Sequence, residues 1–270
     1  MGALITNFPT PVPMGANTFD ITGLAFQGRI CQEHNFADGT AHGWVPLFTP
    51  LSASGTKWGT LNCISRGVPR LSLRTPDAQG ATGMGTYRTT RGLYGDGRYL
   101  VEFLTSLENA TATTDRPAAF SWGMDVASVA GVRRYFELVF DNYDEGLASQ
   151  VQKFRLNMGG GTYQDITGGG STNLMNRANE NKALPHYLAF EIDTNNGWYR
   201  GFRLNDEIMV GSLAATPDGT LQAYGPVTST TLTTFGGGIN VFFTITNRAA
   251  ATVTRGTSSL HWHRMTYLGN

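Results

Sequence analysis

Glu191-Ile-Asp193-Thr-Asn195 is the segment that comes nearest to acid–base chemistry. Residues at i, i+2 and i+4 of a strand share one face. Carboxylates so spaced could flank a glycosidic bond as acid and nucleophile, which for retention must lie about 5 Å apart. Here the third position is Asn195, which has no carboxylic proton to give, and it falls in a turn. The set is incomplete. Glu191 and Asp193 are therefore expected to be solvated strand residues paired with Arg200 or Arg203 on the neighbouring strand. Glu102 and Glu137 could join Glu191 on a sheet face, and Tyr135 or Tyr187 beside an arginine could act as the base of an elimination.

Metal chemistry has two candidates. His261-Trp262-His263 projects two imidazoles to one side of a strand, but no third ligand accompanies them, so hydrogen-bonding roles are expected. Asp141-Asn142-Tyr143-Asp144-Glu145 is rich in oxygen and follows an apolar run. Asp141, Asn142 and Asp144 are the candidate Ca²⁺ ligands, with a hydrophilic turn as the alternative and no other cofactor implied. No nucleophile elbow, phosphate loop or dinucleotide fingerprint is present. Cys31 and Cys63 could pair in an oxidising compartment or serve as two small buried hydrophobes.

The elements that must position these residues are strands. Short apolar or alternating runs lie between Gly, Asn, Asp and Pro punctuation: 99–105, 135–141, 153–158, 187–193, 198–204, 239–246 and 260–268. In the run 135–141, Phe136, Leu138 and Phe140 share one side and Tyr135, Glu137, Val139 and Asp141 the other. In 187–193, Leu188, Phe190 and Ile192 point inward and Tyr187, Ala189, Glu191 and Asp193 outward. Asn196-Gly197 takes the positive φ of a tight turn, which makes 187–204 a hairpin. Residues 34–48 read as an opening strand and 260–268 as a closing one, and the two are expected to be neighbours. Pro9, Pro11 and Pro13 keep residues 1–18 extended as an arm that contacts another subunit or a partner surface. No linker divides the rest, so 19–270 is one domain. The expected fold is all-β, an antiparallel two-sheet sandwich of the jelly-roll kind.

Charged residues are 15% of the chain, below the roughly one-quarter usual in soluble domains. The 20 basic and 20 acidic residues cancel. That balance argues against nucleic-acid partners, which need clustered Lys and Arg, and against a polybasic membrane anchor. No run of about 18 apolar residues and no basic, apolar leader is visible. The expected location is the cytoplasm, or release in a virion.

His34-Asn-Phe-Ala-Asp-Gly-Thr-Ala-His-Gly-Trp44 resembles the opening strand common in concanavalin A-like sandwiches and carbohydrate-binding modules. His186-Tyr-Leu-Ala-Phe-Glu-Ile-Asp193, followed by Tyr199-Arg-Gly-Phe-Arg-Leu-Asn-Asp206, resembles an uncharacterised bacterial family of that superfamily. The likeness spans roughly residues 34–268 and consists of strand and turn signatures, so it implies a fold and no activity. Glycosidases of the superfamily carry Glu-x-Asp-x-Glu where this chain ends in Asn195. The strand motifs of its polysaccharide lyases are absent.

Three functions compete. A non-catalytic glycan-binding module needs an aromatic platform rimmed by polar groups. Tyr187, Glu191, Asp193, Trp198, Tyr199 and Arg200 are its expected ligand-binding residues, with Tyr143, Tyr163 and Trp122 as further aromatics. A structural phage protein, a capsid decoration or tail component, would assemble through the arm as a homo-oligomer. A glycan lyase or hydrolase would need an acid–base set that the sequence does not supply. The partners are accordingly a glycan, other copies of the chain, or virion proteins.

Overall fold

The computed structural model describes residues 29–36, 40–49, 70–75, 79–90, 97–109, 116–127, 132–142, 153–159, 162–166, 185–195, 197–205, 207–208, 230–231, 238–249 and 256–269. These residues form strands and turns and contain no helix. The proposed arm, Cys63 and Asp144 lie outside them.

The described residues form two antiparallel sheets. The first runs β1 (Arg29–His34), β15 (Gly256–Gly269), β5 (Arg98–Asn109), β10 (His186–Asp193), β11 (Trp198–Leu204) and β12 (Glu207–Ile208), with β3 (Leu71–Arg74) also paired to β15. The second runs β2 (Val45–Thr49), β4 (Thr82–Thr90), β14 (Gly238–Thr246), β6 (Ala119–Ala127), β7 (Val132–Asp141), β8 (Lys153–Gly159) and β9 (Thr162–Asp165), with β13 (Thr230–Thr231) paired to β7. All seven sequence-predicted runs are strands; the closing run in β15 lies beside β1, which shares only His34 with the expected opening stretch 34–48. The fold is an antiparallel two-sheet β-sandwich.

The expected opening strand 34–48 is two strands in different sheets. Phe36 and His42 take positive φ (52° and 47°), and the chain crosses from one sheet to the other between His34 and Val45. A strand cannot continue through left-handed residues. The hairpin at 187–204 forms as read. Gly197 N–H donates to the Asp193 carbonyl at 2.8 Å, and Gly197 has the φ of +74° that the turn demands.

Period-two alternation sends one row of side chains from each sheet into the core. Val101, Phe103, Leu188 and Phe190 meet Trp122, Phe136, Leu138, Phe140 and Phe243 there, all buried. Phe154 and Phe202 touch across the sheets with ring centroids 5.3 Å apart, and Trp122 Nε1 donates to Thr105 Oγ1 at 3.2 Å. Truncating any one of these aromatic side chains to Ala should cost about 3–5 kcal/mol.

The outer face of the first sheet is buried too, which the alternation alone did not indicate. Leu100, Tyr187, Ala189 and Trp262 form a second apolar cluster there, packed with Leu104 and Leu268. Glu102 and Arg264 sit among them with no exposure and form an ion pair, Arg264 Nε to Glu102 Oε2 at 2.5 Å and Nη2 to Oε1 at 2.8 Å. Burial holds the Glu102 carboxyl above its usual range, against the pull of Arg264 and of Tyr187, whose hydroxyl donates to Oε1 at 2.5 Å.

Candidate functional site

The six residues expected to bind a ligand do not form a common platform. Tyr187 is buried and spends its hydroxyl on Glu102. Glu191 and Asp193 are 3% and 4% exposed. Arg98 grips Glu191, with Nε donating to Oε1 at 2.7 Å. Arg200 donates to Asp193 Oδ2 at 3.0 Å, and the other Asp193 oxygen accepts the Asn195 N–H at 3.0 Å. The expected cross-strand pairing of Asp193 with Arg200 is present, and the partner of Glu191 comes from β5 instead of β11. The expectation that both are solvated is corrected: Asp193 closes the hairpin and Glu191 is held against β5. Of the six, Trp198 and Arg200 keep part of their surface in water.

Tyr199 is a correction of a different kind. It points between the sheets and is fully buried. Its ring stands edge-on to Phe136, 5.4 Å between centroids at 86°. Its hydroxyl crosses the sandwich, accepts the Glu137 N–H at 2.7 Å and donates to the Asn157 carbonyl at 2.8 Å. The β7–β8 ladder runs from Asp141↔Lys153 to Leu138↔Leu156 and stops. The Tyr199 hydroxyl takes the place of the next rung, joining Glu137 to Asn157 through itself.

Directly above that hydroxyl, on the outer face of the second sheet, the side chains of the same two residues meet. Asn157 Nδ2 donates to Glu137 Oε2 at 2.9 Å, and Ser121 Oγ donates to Oε1 at 2.6 Å. Ser121 in turn contacts Thr244 Oγ1 at 2.6 Å. The register lines up Phe242, Gly123 and Glu137 across β14, β6 and β7, and Asn157 with Tyr163 across β8 and β9. Tyr135 stacks on Phe242, 4.9 Å between centroids at 14°. Gly123 makes room for Phe242: a Cβ there would lie 2.5 Å from Phe242 Cζ. Tyr163 is 37% exposed, and the Arg155 guanidinium lies 4.3 Å from its ring centroid. Burial first, and then the nearby Glu137, push the hydroxyls of Tyr135 and Tyr163 above the usual tyrosine range. Both therefore stay protonated and able to donate. Of the residues weighed on the sequence, Tyr163, Tyr135 and Glu137 are here; Trp122 is in the core.

Of the three candidate Ca²⁺ ligands, the two among the described residues, Asp141 and Asn142, are engaged by protein groups. The Asp141 carboxylate is held by Arg155, with Nη2 donating to Oδ1 at 2.5 Å and Nε beside Oδ2. Asn142 is fully buried, and its Nδ2 donates to the Pro117 carbonyl at 2.8 Å. Among the described residues no three His, Cys, Asp or Glu side chains converge as metal ligands. His261 and His263 part company at a bulge in β15. His261 contacts Ser106 Oγ at 2.8 Å, whereas His263 enters the core beside Phe103.

Fold and site together define a two-sheet β-sandwich whose second sheet carries a polar and aromatic cluster on its outer side, partly buried, with Tyr163 exposed in β9. No protein-family model and no curated protein matches the chain. Among solved structures it is similar to peanut lectin with a bound 9-mer peptide, at TM-score 0.48 and 9% identity over 91% of this chain and 100% of that one. It is similar also to the potassium-bound carbohydrate recognition domain of Emp46p, at TM-score 0.45 and 9% identity over 88% and 96%. A third is the CBM2 module of the evolved Dit of Lactobacillus casei BL23 phage J-1, at TM-score 0.42 and 10% identity over 90% and 97%.

Proposed function

We propose that the protein is a non-catalytic carbohydrate-binding module whose ligand lies on the outer face of the second sheet, over Tyr163 and Tyr135. One observation carries this reading: exposed Tyr163 and the stacked Tyr135 flank a polar cluster of Glu137, Asn157 and Ser121 on a single face. A sugar ring offers an apolar C–H surface and a rim of hydroxyls, so it requires an aromatic surface beside fixed donors and acceptors. The backbone beneath is pinned by Tyr199, which keeps those groups in place without a ligand. The carboxylates weighed for catalysis on the other sheet are each held by an arginine, which favours binding over hydrolysis.

Affinity electrophoresis in gels containing soluble polysaccharides tests the proposal. The wild-type protein should be retarded, and Tyr163→Ala should lose about tenfold or more in affinity, the equivalent of ~1.4 kcal/mol. Trp198→Ala, at the edge of the other sheet, should bind as the wild type does. Loss of retardation with Trp198→Ala and retention with Tyr163→Ala would move the site to the β10–β11 edge.

A further inference from the structure

We infer that the glycan this face accepts is uncharged, and that uronate-rich and sulfated polysaccharides are excluded from it. The inference rests on the binding role just proposed and specifies its ligand. Glu137 stands at the centre of the cluster, and both its oxygens accept from neutral donors, Ser121 Oγ and Asn157 Nδ2. The two cations of β8 are already matched. Arg155 contacts both oxygens of Asp141, and Lys153 Nζ lies 3.1 Å from Asp165 Oδ2. The two cations therefore leave the Glu137 charge standing.

A carboxylate accepts and cannot donate. With one acceptor site of each oxygen used, Glu137 still has capacity for hydroxyl donors from a ligand. Hydrogen bonds to a charged acceptor are about twice as strong as neutral ones. Sugar hydroxyls meet that requirement, and the two tyrosine hydroxyls can donate to the ring oxygens. A ligand carboxylate or sulfate brought to the same place meets a like charge inside the ~8 Å over which physiological salt leaves charges unscreened. Such juxtaposition excludes ligands by adding a penalty against the wrong class, not by improving contacts to the right one.

The experiment passes the full chain over immobilised neutral polysaccharides (galactan, mannan, β-glucan, xylan) and immobilised anionic ones (polygalacturonate, alginate, heparin). Wild type, Tyr163→Ala and Glu137→Gln are compared, each checked for its thermal transition. The expected result is retention on at least one neutral matrix and none on the anionic set, little changed between 50 and 300 mM salt. Tyr163→Ala and Glu137→Gln should each weaken the neutral interaction about tenfold. Retention on an anionic matrix that Tyr163→Ala abolishes would overturn the charge inference and leave the face as the site. Neutral binding unaffected by Glu137→Gln would remove Glu137 from recognition and overturn the inference as well. Retention on no matrix of either class would overturn the binding role itself.

Discussion

Replacing Tyr199 with Phe removes one oxygen atom from the core and tests how the two sheets cooperate. The ring and its edge-on contact with Phe136 remain, so no cavity term beyond the hydroxyl arises. What is lost is a bridge: the Glu137 N–H at 2.7 Å and the Asn157 carbonyl at 2.8 Å lose their common partner. An unsatisfied buried backbone group costs about 1–3 kcal/mol. Because the surroundings are part-buried, the lower end applies to each, which gives about 2–3 kcal/mol if the strands stay apart. If β7 and β8 close by one rung, the N–H meets the carbonyl directly and the cost falls to about 1 kcal/mol, while the spacing of the Glu137 and Asn157 side chains above changes. Either way both stability and glycan affinity should fall. Urea unfolding measures the first and affinity electrophoresis the second, with Phe202→Leu as a core variant that leaves the bridge intact. At equal loss of stability, Phe202→Leu should retain more glycan affinity than Tyr199→Phe. A Tyr199→Phe protein within ~0.5 kcal/mol of wild type and unchanged in binding would refute the claim that the hydroxyl holds the site.

His263 is fully buried, and burial, then the facing His34, pull its pKa down to about 3. An unfolded His near 6.5 takes up a proton that the folded one refuses, so its contribution is complete above pH 6.5 and is lost as pH falls toward 3. That is about 1.4 kcal/mol per pH unit, or roughly 2 kcal/mol between pH 6.5 and 5. Urea unfolding of wild type and His263→Phe across this window should show the smaller slope in the variant; equal slopes would contradict it. His34 adds in the same direction, since its pKa is lowered to about 4 and its Nδ1 accepts the Trp44 indole N–H at 3.0 Å, a bond that protonation there abolishes. Arg264→Met strips the buried Glu102 of its counter-ion and should cost about 3–5 kcal/mol; adding Glu102→Leu should recover part of that in a double-mutant cycle. Gly123→Ala drives a methyl group into the Phe136 carbonyl oxygen and the Phe242 ring and should lower the thermal midpoint and disturb the Tyr135–Phe242 stack, visible in near-UV circular dichroism. An unchanged spectrum and midpoint would show that the sheet absorbs the methyl without strain.

Much of the sandwich was legible in one dimension, because strand identity is local. Period-two alternation in 135–141 and 187–193 marks both the strands and their inward rows, and Asn196-Gly197 marks the turn between β10 and β11 through glycine's tolerance of positive φ. β4, Thr82–Thr90, escaped because TGMGTYRTT carries too few apolar residues to alternate; its pairing with β2 and β14 makes it a strand. The crossing between Phe36 and Trp44 escaped because a left-handed residue leaves no signature when it is Phe or His. The site was legible only in its ingredients. Whether a strand's second face meets water depends on what packs over it, and that is a property of the folded chain. Hence Tyr187, Glu191 and Asp193, outward by period, are buried. Tyr199, expected outward, lies in the core, where the bulge between Glu191 and Ile192 sets its register against Ile192. Glu137 and Tyr163 look ordinary in sequence and become a site because β7, β8 and β9 bring them alongside Asn157. The same holds for Glu102 with Arg264, and His34 with His263, partners more than 150 residues apart whose meeting follows from strand order and not from either local sequence.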